Sequence, residues 1–250
     1  RNEDIGFRNA YRYSTIYNPT APIRNPDGSY YESGGFDTFN PVAIVQQNRN
    51  TGEKNNIIGG MKLEYELFDG FKAAVYYGYQ SDKLTTIEKY SKDALYRGSG
   101  RNGLVRWSDI KLTTKQTDFT ITYDVDLTDD LNLNILGGTS YQVFDALGTS
   151  IVAGDFISDS ILDNLGLSGD VANGLADIGS TKRRSKLFAV FARVNLDFDD
   201  TYYLSASIRP EGHDRFGENN QWGTFGAVSA GVNITNLNDG KFGPFNYLKF

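Results

Sequence analysis

"DFTITYDVDLTDDLNLNIL", residues 118–136, decides how this chain folds. Phe119, Ile121, Tyr123, Val125 and Leu127 alternate with Asp118, Thr120, Thr122, Asp124 and Asp126. A period of two puts all five apolar residues on one face of an extended strand and the polar five on the other. "TDD" then marks a tight turn, and Leu131, Leu133 and Ile135 alternate with Asn132 and Asn134 on the return. The alternation continues less cleanly through Tyr141 and Val143. This is a β-hairpin with one apolar and one polar face.

Working outward, the same pattern recurs. Met61, Leu63, Tyr65 and Leu67 share a parity, "FDG" follows, and Phe71, Ala73, Val75, Tyr77 and Tyr79 share the next. A third hairpin sets Phe188, Val190, Ala192, Val194, Leu196 and Phe198 against Tyr202, Leu204, Ala206 and Ile208 across "DDT". A seventh strand is expected over 222–234, with Val228, Ala230 and Val232 on its apolar side. Residues 57–250 thus read as about seven to eight strands. Residues 1–56 are rich in proline and glycine turns, alternate weakly and read largely as loop.

The connections differ in a regular way. Tight turns alternate with long polar segments at 81–111 and 144–181 and a shorter one at 211–221. A soluble sandwich has no reason to confine loops of about thirty residues to alternate connections, whereas an outer-membrane barrel pairs short periplasmic turns with long outer loops. The expected class is therefore all-β, an antiparallel transmembrane β-barrel segment. Tyr65, Tyr77, Tyr79, Tyr141, Tyr202 and Tyr203 suit interfacial girdles. Apolar spacing near three and four in "LTTIEKYSKDAL" (84–95) and "DFISDSILDNLGL" (155–167) predicts a short helix in each long loop.

Composition narrows the chemistry. A formal charge of -6 and no basic stripe argue against a nucleic-acid partner. Cysteine is absent, which excludes disulfides, thiolate metal sites and thiol redox chemistry. "GSGRNG" (98–103) fits the dinucleotide fingerprint by letter, but the next element is another alternating strand rather than a helix. His213 beside Glu211 and Asp214 suggests an acid–base pair or, with carboxylates from elsewhere, a metal site, against which stands a loop histidine among polar neighbours. Asp155, Asp159, Asp163 and Asp170 lie within one outer loop without the spacing of a calcium loop, and read as a solvated helical face. "NIT" (233–235) fits a glycosylation sequon. Neither a cofactor nor a catalytic residue is expected. Tyr90, Tyr96 and Trp107 are the candidate ligand-binding residues, outer-loop aromatics that stack on a sugar or a peptide, with packing of their own loop as the alternative.

Three blocks carry a family resemblance: "NPTAPIRNPDGSYYE" (18–32), "NPVAIVQQ" (40–47) and "YYLSASIRPEGHDRFGENNQWGTFGAVSAG" (202–231). In this order they resemble the SusC/RagA-like TonB-dependent transporters of Bacteroidetes outer membranes. The motif positions are Asn18, Pro19, Arg215, Phe216, Gly217, Trp222 and Gly223. The chain departs from the common wording at "RPEGHDRFG" and at Gly226, where proline is usual. The resemblance implies a middle portion of a barrel of about 22 strands. Plug, N-terminal extension, TonB box and closing strands are expected outside these residues, and "YLKF" (247–250) reads as the start of a further strand. It further implies TonB-dependent import of a glycan or peptide with a SusD-like surface lipoprotein, TonB and outer-membrane lipid as partners. Lumen positions such as Glu64, Asp124 and Arg193 are then expected to affect transport more than folding. A passive porin or structural barrel component and a soluble lectin-like domain are the alternatives. Residues 211–225 are expected to turn the chain at the outer end of two strands. Gly212, Gly217 and Asn219 would permit the sharp path, and Trp222 would anchor the return.

Overall fold

The computed structural model describes residues 2–4, 7–238 and 249. The elements in chain order are β1 (Asn2–Asp4), α1 (Arg8–Ile16), α2 (Pro41–Gln47), β2 (Asn48–Phe68), β3 (Phe71–Tyr90), β4 (Leu104–Thr128) and β5 (Leu131–Gly154). They continue with α3 (Gly169–Ala172), β6 (Asp177–Phe198), β7 (Tyr202–His213) and β8 (Trp222–Val232). The strands form one eight-stranded sheet in sequence order, an up-and-down meander. "YLKF" lies outside the described residues except for Lys249, which bridges Asn233 in antiparallel fashion.

The three tight turns fall where the alternation breaks. Gly70 has φ 75°, and a Cβ there would stand 2.0 Å from the Asp124 carbonyl, so the turn after β2 admits no side chain. Asp199 and Asp200 have φ 55° and 49°, and Thr201 N–H donates to Phe198 C=O at 3.0 Å. Positive φ at both central positions is the primed geometry whose twist matches the flanking strands.

Two expectations about the loops are corrected. The segments 81–111 and 144–181 contain strand at both ends and narrow to loops at 91–103 and 155–176: β3 runs on to Tyr90, β4 begins at Leu104, β5 ends at Gly154 and β6 begins at Asp177. These extensions lose the two-faced pattern, but Thr85, Thr86 and Ile87 still favour extended backbone, which overrides helical spacing in "LTTIEKY". Over 155–167 no α-helix forms, only two single 3₁₀ turns. Ser158, Asn164 and Ser168 each accept a hydrogen bond from an N–H two or three residues on, so the chain restarts as separate turns at Asp159–Ile161, Leu165–Leu167 and α3.

Residues 1–56 hold more order than expected, with α1, α2 and the first part of β2. α2 is capped by Asn40, whose Oδ1 accepts from Val42 N–H at 3.0 Å and Ala43 N–H at 3.3 Å, with Pro41 preset for the first turn. The other two Asn-Pro pairs make turns. Ala21 N–H donates to Asn18 C=O, and Gly28 N–H donates to Asn25 C=O with Gly28 at φ 86°.

The chain divides into two compact units. The first (Arg1–Asn56, Ser81–Leu112, Ala146–Arg183) contains the buried clusters Tyr13, Ile44, Tyr90, Tyr96, Leu104 and Val105, Phe156, Leu162. The second (Ile57–Gln80, Thr113–Asp145, Arg184–Phe250) instead exposes apolar side chains in strand parity, among them Met61, Leu63, Leu67, Val75, Phe119, Ile121, Val190, Val194, Leu204, Ile208 and Val228. A face this continuous is far larger than a water-facing monomer carries, and matches the lipid face of a barrel. Among the described residues no helix is long and apolar enough to cross a membrane.

Candidate functional site

In the second unit the polar parity forms a hydrogen-bonded wall. Ser205 Oγ donates to Asn195 Oδ1 at 2.7 Å, Asn195 Nδ2 to Asn134 Oδ1 at 3.0 Å, and Asn134 Nδ2 to Asp124 Oδ2 at 3.3 Å. Asn132 Nδ2 adds bonds to Asp124 Oδ1 and Asp126 Oδ1. The ladder crosses β7, β6, β5 and β4 with every donor aimed toward the carboxylates. Nearby, Ser140 and Gln116 both donate to Asp118. Arg209 Nε donates to Glu211 Oε2 at 2.9 Å while its guanidinium lies 5.7 Å from the Phe191 ring centre. Phe225, opposite Arg209 in register, is 59% exposed on this same face. The sequence reading missed this ladder and this cluster. Asparagines at alternate strand positions, where asparagine is disfavoured, were the available signal.

The opposite face is bounded by aromatic rows. Phe198, Tyr202 and Val232 share one row near the turn. Phe188, Gly212 and Trp222 share another, and the contacts fixing β6 against β5 place Tyr141 opposite Phe188. Phe188 and Trp222 meet edge to face at 6.3 Å. Ten residue steps of β6 separate the rows, about 33 Å along a strand at ~3.3 Å per residue. That is about 25 Å across a bilayer at the ~40° tilt of barrel strands, the height of an outer-membrane apolar band.

The motif residues around 211–225 build a strand end, and two expectations about them change. β7 extends to His213, whose N–H donates to Gln221 C=O, so the turnaround is shorter than 211–221. Gly217 and Asn219 do lie in a sharp turn, closed between Gly217 and Asn220 without positive φ, whereas Gly212 lies within β7. Gly212 is required instead because the Trp222 ring lies over it; a Cβ would stand 2.9 Å from Trp222 Cε2. The same device recurs at Gly138, under Phe191. Asn220 N–H donates to Gly217 C=O, Phe216 N–H to His213 C=O, and Arg215 N–H to His213 Nδ1 at 3.1 Å. His213 stacks on Phe144, Glu211 is held by Arg209, and Asp214 Oδ1 accepts from Lys186 N–H. These partners spend the three groups on structure. Asn233 and Thr235 of the sequon are buried and bonded to each other.

In the first unit Tyr90 and Tyr96 are 1% and 5% exposed, which corrects their expected role as ligand-stacking aromatics. They pack with Tyr13 and Phe39 at ring distances of 5.2–6.0 Å. Asn9 Nδ2 donates to Tyr96 Oη and Tyr90 Oη donates to Glu88. Trp107 lies within β4, half-buried, donating Nε1–H to Asp109 at 2.8 Å. Asn18 Oδ1 accepts from Thr20 N–H and Oγ1, while Pro19 fixes the turn. Tyr13 and then Arg12 hold the Asp37 carboxyl below its ordinary range by donating to it, whereas burial pushes Glu32 up despite its bond from Asn40 N–H.

The four loop aspartates neither converge nor form a helical face. Asp155 accepts from Asn102 Nδ2, Asp159 from Ser91 Oγ and Lys92 N–H, Asp163 pairs with Lys89, and Asp170 takes Arg101 Nη2 at 2.5 Å and Gly154 N–H at 2.6 Å. They staple residues 155–170 to 89–102. Burial alone would raise the Asp170 pKa, but the bonds from Arg101 and Gly154 outweigh it and hold it below the usual value. A depressed folded-state pKa means this stabilisation is present above the ordinary carboxyl value of about 3.9 and is lost as pH falls through the lower, folded value. Amide exchange at 98–103 and 154–172 is therefore expected to accelerate, roughly tenfold, below pH ~4. Asp170→Asn should exchange fast at pH 6 and respond little to acid; an acid response equal to wild type refutes the assignment.

No family model matches the chain. It is 26% identical over 92% of its length to TonB-dependent receptor P3 of Formosa agariphila, of which it covers 22%. It is 27% identical over 94% to TonB-dependent receptor P26 of the same organism, covering 24%. Among solved structures, a chain of the RagAB peptide transporter matches with TM-score 0.73 at 20% identity, covering 84% of this chain and 24% of that one. The RagAB peptide importer in its closed-closed state gives 0.74 at 18%, covering 87% and 24%. The chain thus spans about a quarter of the length of the relatives it matches.

Proposed function

We infer that the protein works in nutrient import: the chain is a stretch of barrel from a SusC/RagA-like TonB-dependent outer-membrane transporter, and its bonded polar face lines the lumen. The whole transporter takes up a glycan or a peptide, with a SusD-like surface lipoprotein closing the outer mouth and TonB supplying work through a plug. The observation that carries this reading is the two-faced wall, apolar between aromatic rows on one side and bonded through amides and carboxylates on the other. Nothing in such a wall makes or breaks covalent bonds. It offers a passing polar solute hydrogen-bonding groups already held in place, so the solute meets fixed dipoles rather than side chains that must first be ordered.

The test is uptake by cells carrying the full-length gene, using fluorescent oligosaccharides and peptides as separate arms. Uptake in one arm is expected to fall at least tenfold on deleting either the gene or tonB. Arg193→Gln and Asp124→Asn should reduce uptake while leaving the folded barrel's amount in the membrane unchanged. Uptake that needs the gene but not tonB would instead establish a passive pore.

A further inference from the structure

The run "TKRRSK" (181–186) carries four cations in six residues, and import does not account for them. Within the second unit, Arg184 and Lys186 fall on the Phe188 parity of β6, the lipid-facing one, and both are exposed. The registers that hold Asn195 on Asn134 and Ser140 on Asp118 place Lys186, Val143 and Lys115 in one row across β6, β5 and β4. This row lies one step beyond the Tyr141, Phe188 and Trp222 row, on the side away from the tight turns. Barrel strands enter their outer loops on that side, so the row stands at the headgroup level of the outer leaflet.

We propose that Lys115, Lys186 and Arg184 form a binding site for a phosphate-bearing lipid headgroup of the outer leaflet. Two strand spacings put the lysine stems about 10 Å apart with only Val143 between them, a gap that a phosphate group fills. Two carboxylates face the site. Asp145 holds the Arg184 guanidinium by two bonds, 2.6 and 3.2 Å, which orients it and leaves its other N–H groups outward. Asp214 directs one oxygen to Lys186 N–H. Among the described residues no carboxylate lies within ion-pair distance of the Lys115 or Lys186 amine. A lipid rather than a free anion fits because the aromatic row and apolar band directly below receive acyl chains. The proposal rests on the barrel's place in the outer membrane and is independent of its cargo.

The experiment is native mass spectrometry of the full-length protein in neutral detergent, titrated with phosphorylated lipid A, the same lipid with phosphates removed, and inorganic phosphate. Wild type is expected to hold the phosphorylated lipid roughly tenfold more tightly than the dephosphorylated one, an advantage that the double variant K115Q/K186Q loses. Arg193→Gln, on the lumenal parity of β6, should bind as wild type. Heat-modifiable migration reports folding, and should the double variant fail it, Lys186→Gln alone serves. Equal binding of both lipids, undiminished binding in the folded variant, equal loss in Arg193→Gln, or displacement by inorganic phosphate at matched concentration would each overturn the site.

Discussion

Val228→Arg is expected to cost the barrel about 2–4 kcal/mol in a bilayer, the penalty of an arginine near the midplane of a lipid-facing strand. Val228 is 76% exposed and stands in register with Ala206 and, through it, Val194, between the two aromatic rows. An arginine there has no aqueous partner and sits too deep for its guanidinium to reach either headgroup layer without strain. The neighbouring Ser229 faces the polar side, so Ser229→Arg should cost less than about 1 kcal/mol, since charge is tolerated in a polar lumen. The measurement is the urea midpoint of the full-length protein folded into phosphatidylcholine vesicles. Equal midpoints for the two variants would refute the assignment of faces.

The second large effect is expected at Asn40, which is 1% exposed and makes six hydrogen bonds, four of them through its side chain. Its Oδ1 caps α2, its Nδ2 donates to the carbonyls of Ile23 and Tyr31, and its N–H donates to Glu32. Both carbonyls have another donor, Tyr31 N–H for Ile23 and Tyr17 Oη for Tyr31, so alanine does not orphan them. It does strand the Val42 N–H and the buried Ala43 N–H and leave a void, together worth about 2–3 kcal/mol. Amides of α2 should then exchange about 30- to 150-fold faster in the full-length protein. Asn40→Ser keeps an acceptor for the helix and should recover about 1 kcal/mol. Asn40→Asp should recover nothing, because it turns a carboxylate toward two carbonyls beside Glu32. Full rescue by aspartate would show that only the cap matters.

The fold was legible where side chains had to satisfy two solvents at once. Between the aromatic rows every second residue meets lipid, so Phe119 to Leu127 and Phe188 to Phe198 announce their strands by alternation alone. Beyond the band that requirement lapses, and the stretches ending at Tyr90 and Gly154 read as loop although they remain strand. Tyr90 and Tyr96 misled for a related reason. An aromatic residue in a polar stretch looks exposed until the helices α1 and α2 that cover it are known, and α1 has no side-chain cap to announce it. Gly212 carried a different signal from the one assigned: it answers to a tryptophan ten residues later in sequence, a contact that turn chemistry does not predict. The lumenal ladder needed the register between hairpins, which no single strand contains.

That ladder also bears on how the wall is assembled. A one-residue slip of β6 would turn Asn195 outward and Val194 inward, exchanging the two faces along the whole strand. Asn195, at the centre of the ladder, would then lie among acyl chains with its amide bonds to Asn134 and Ser205 broken, and Asn134 would lose its acceptor role. Each unsatisfied amide in hydrocarbon costs several kcal/mol, so the slipped register is strongly disfavoured against the native one. The polar wall thus fixes the register of β6, and its amides are constrained by strand pairing whatever else they contact.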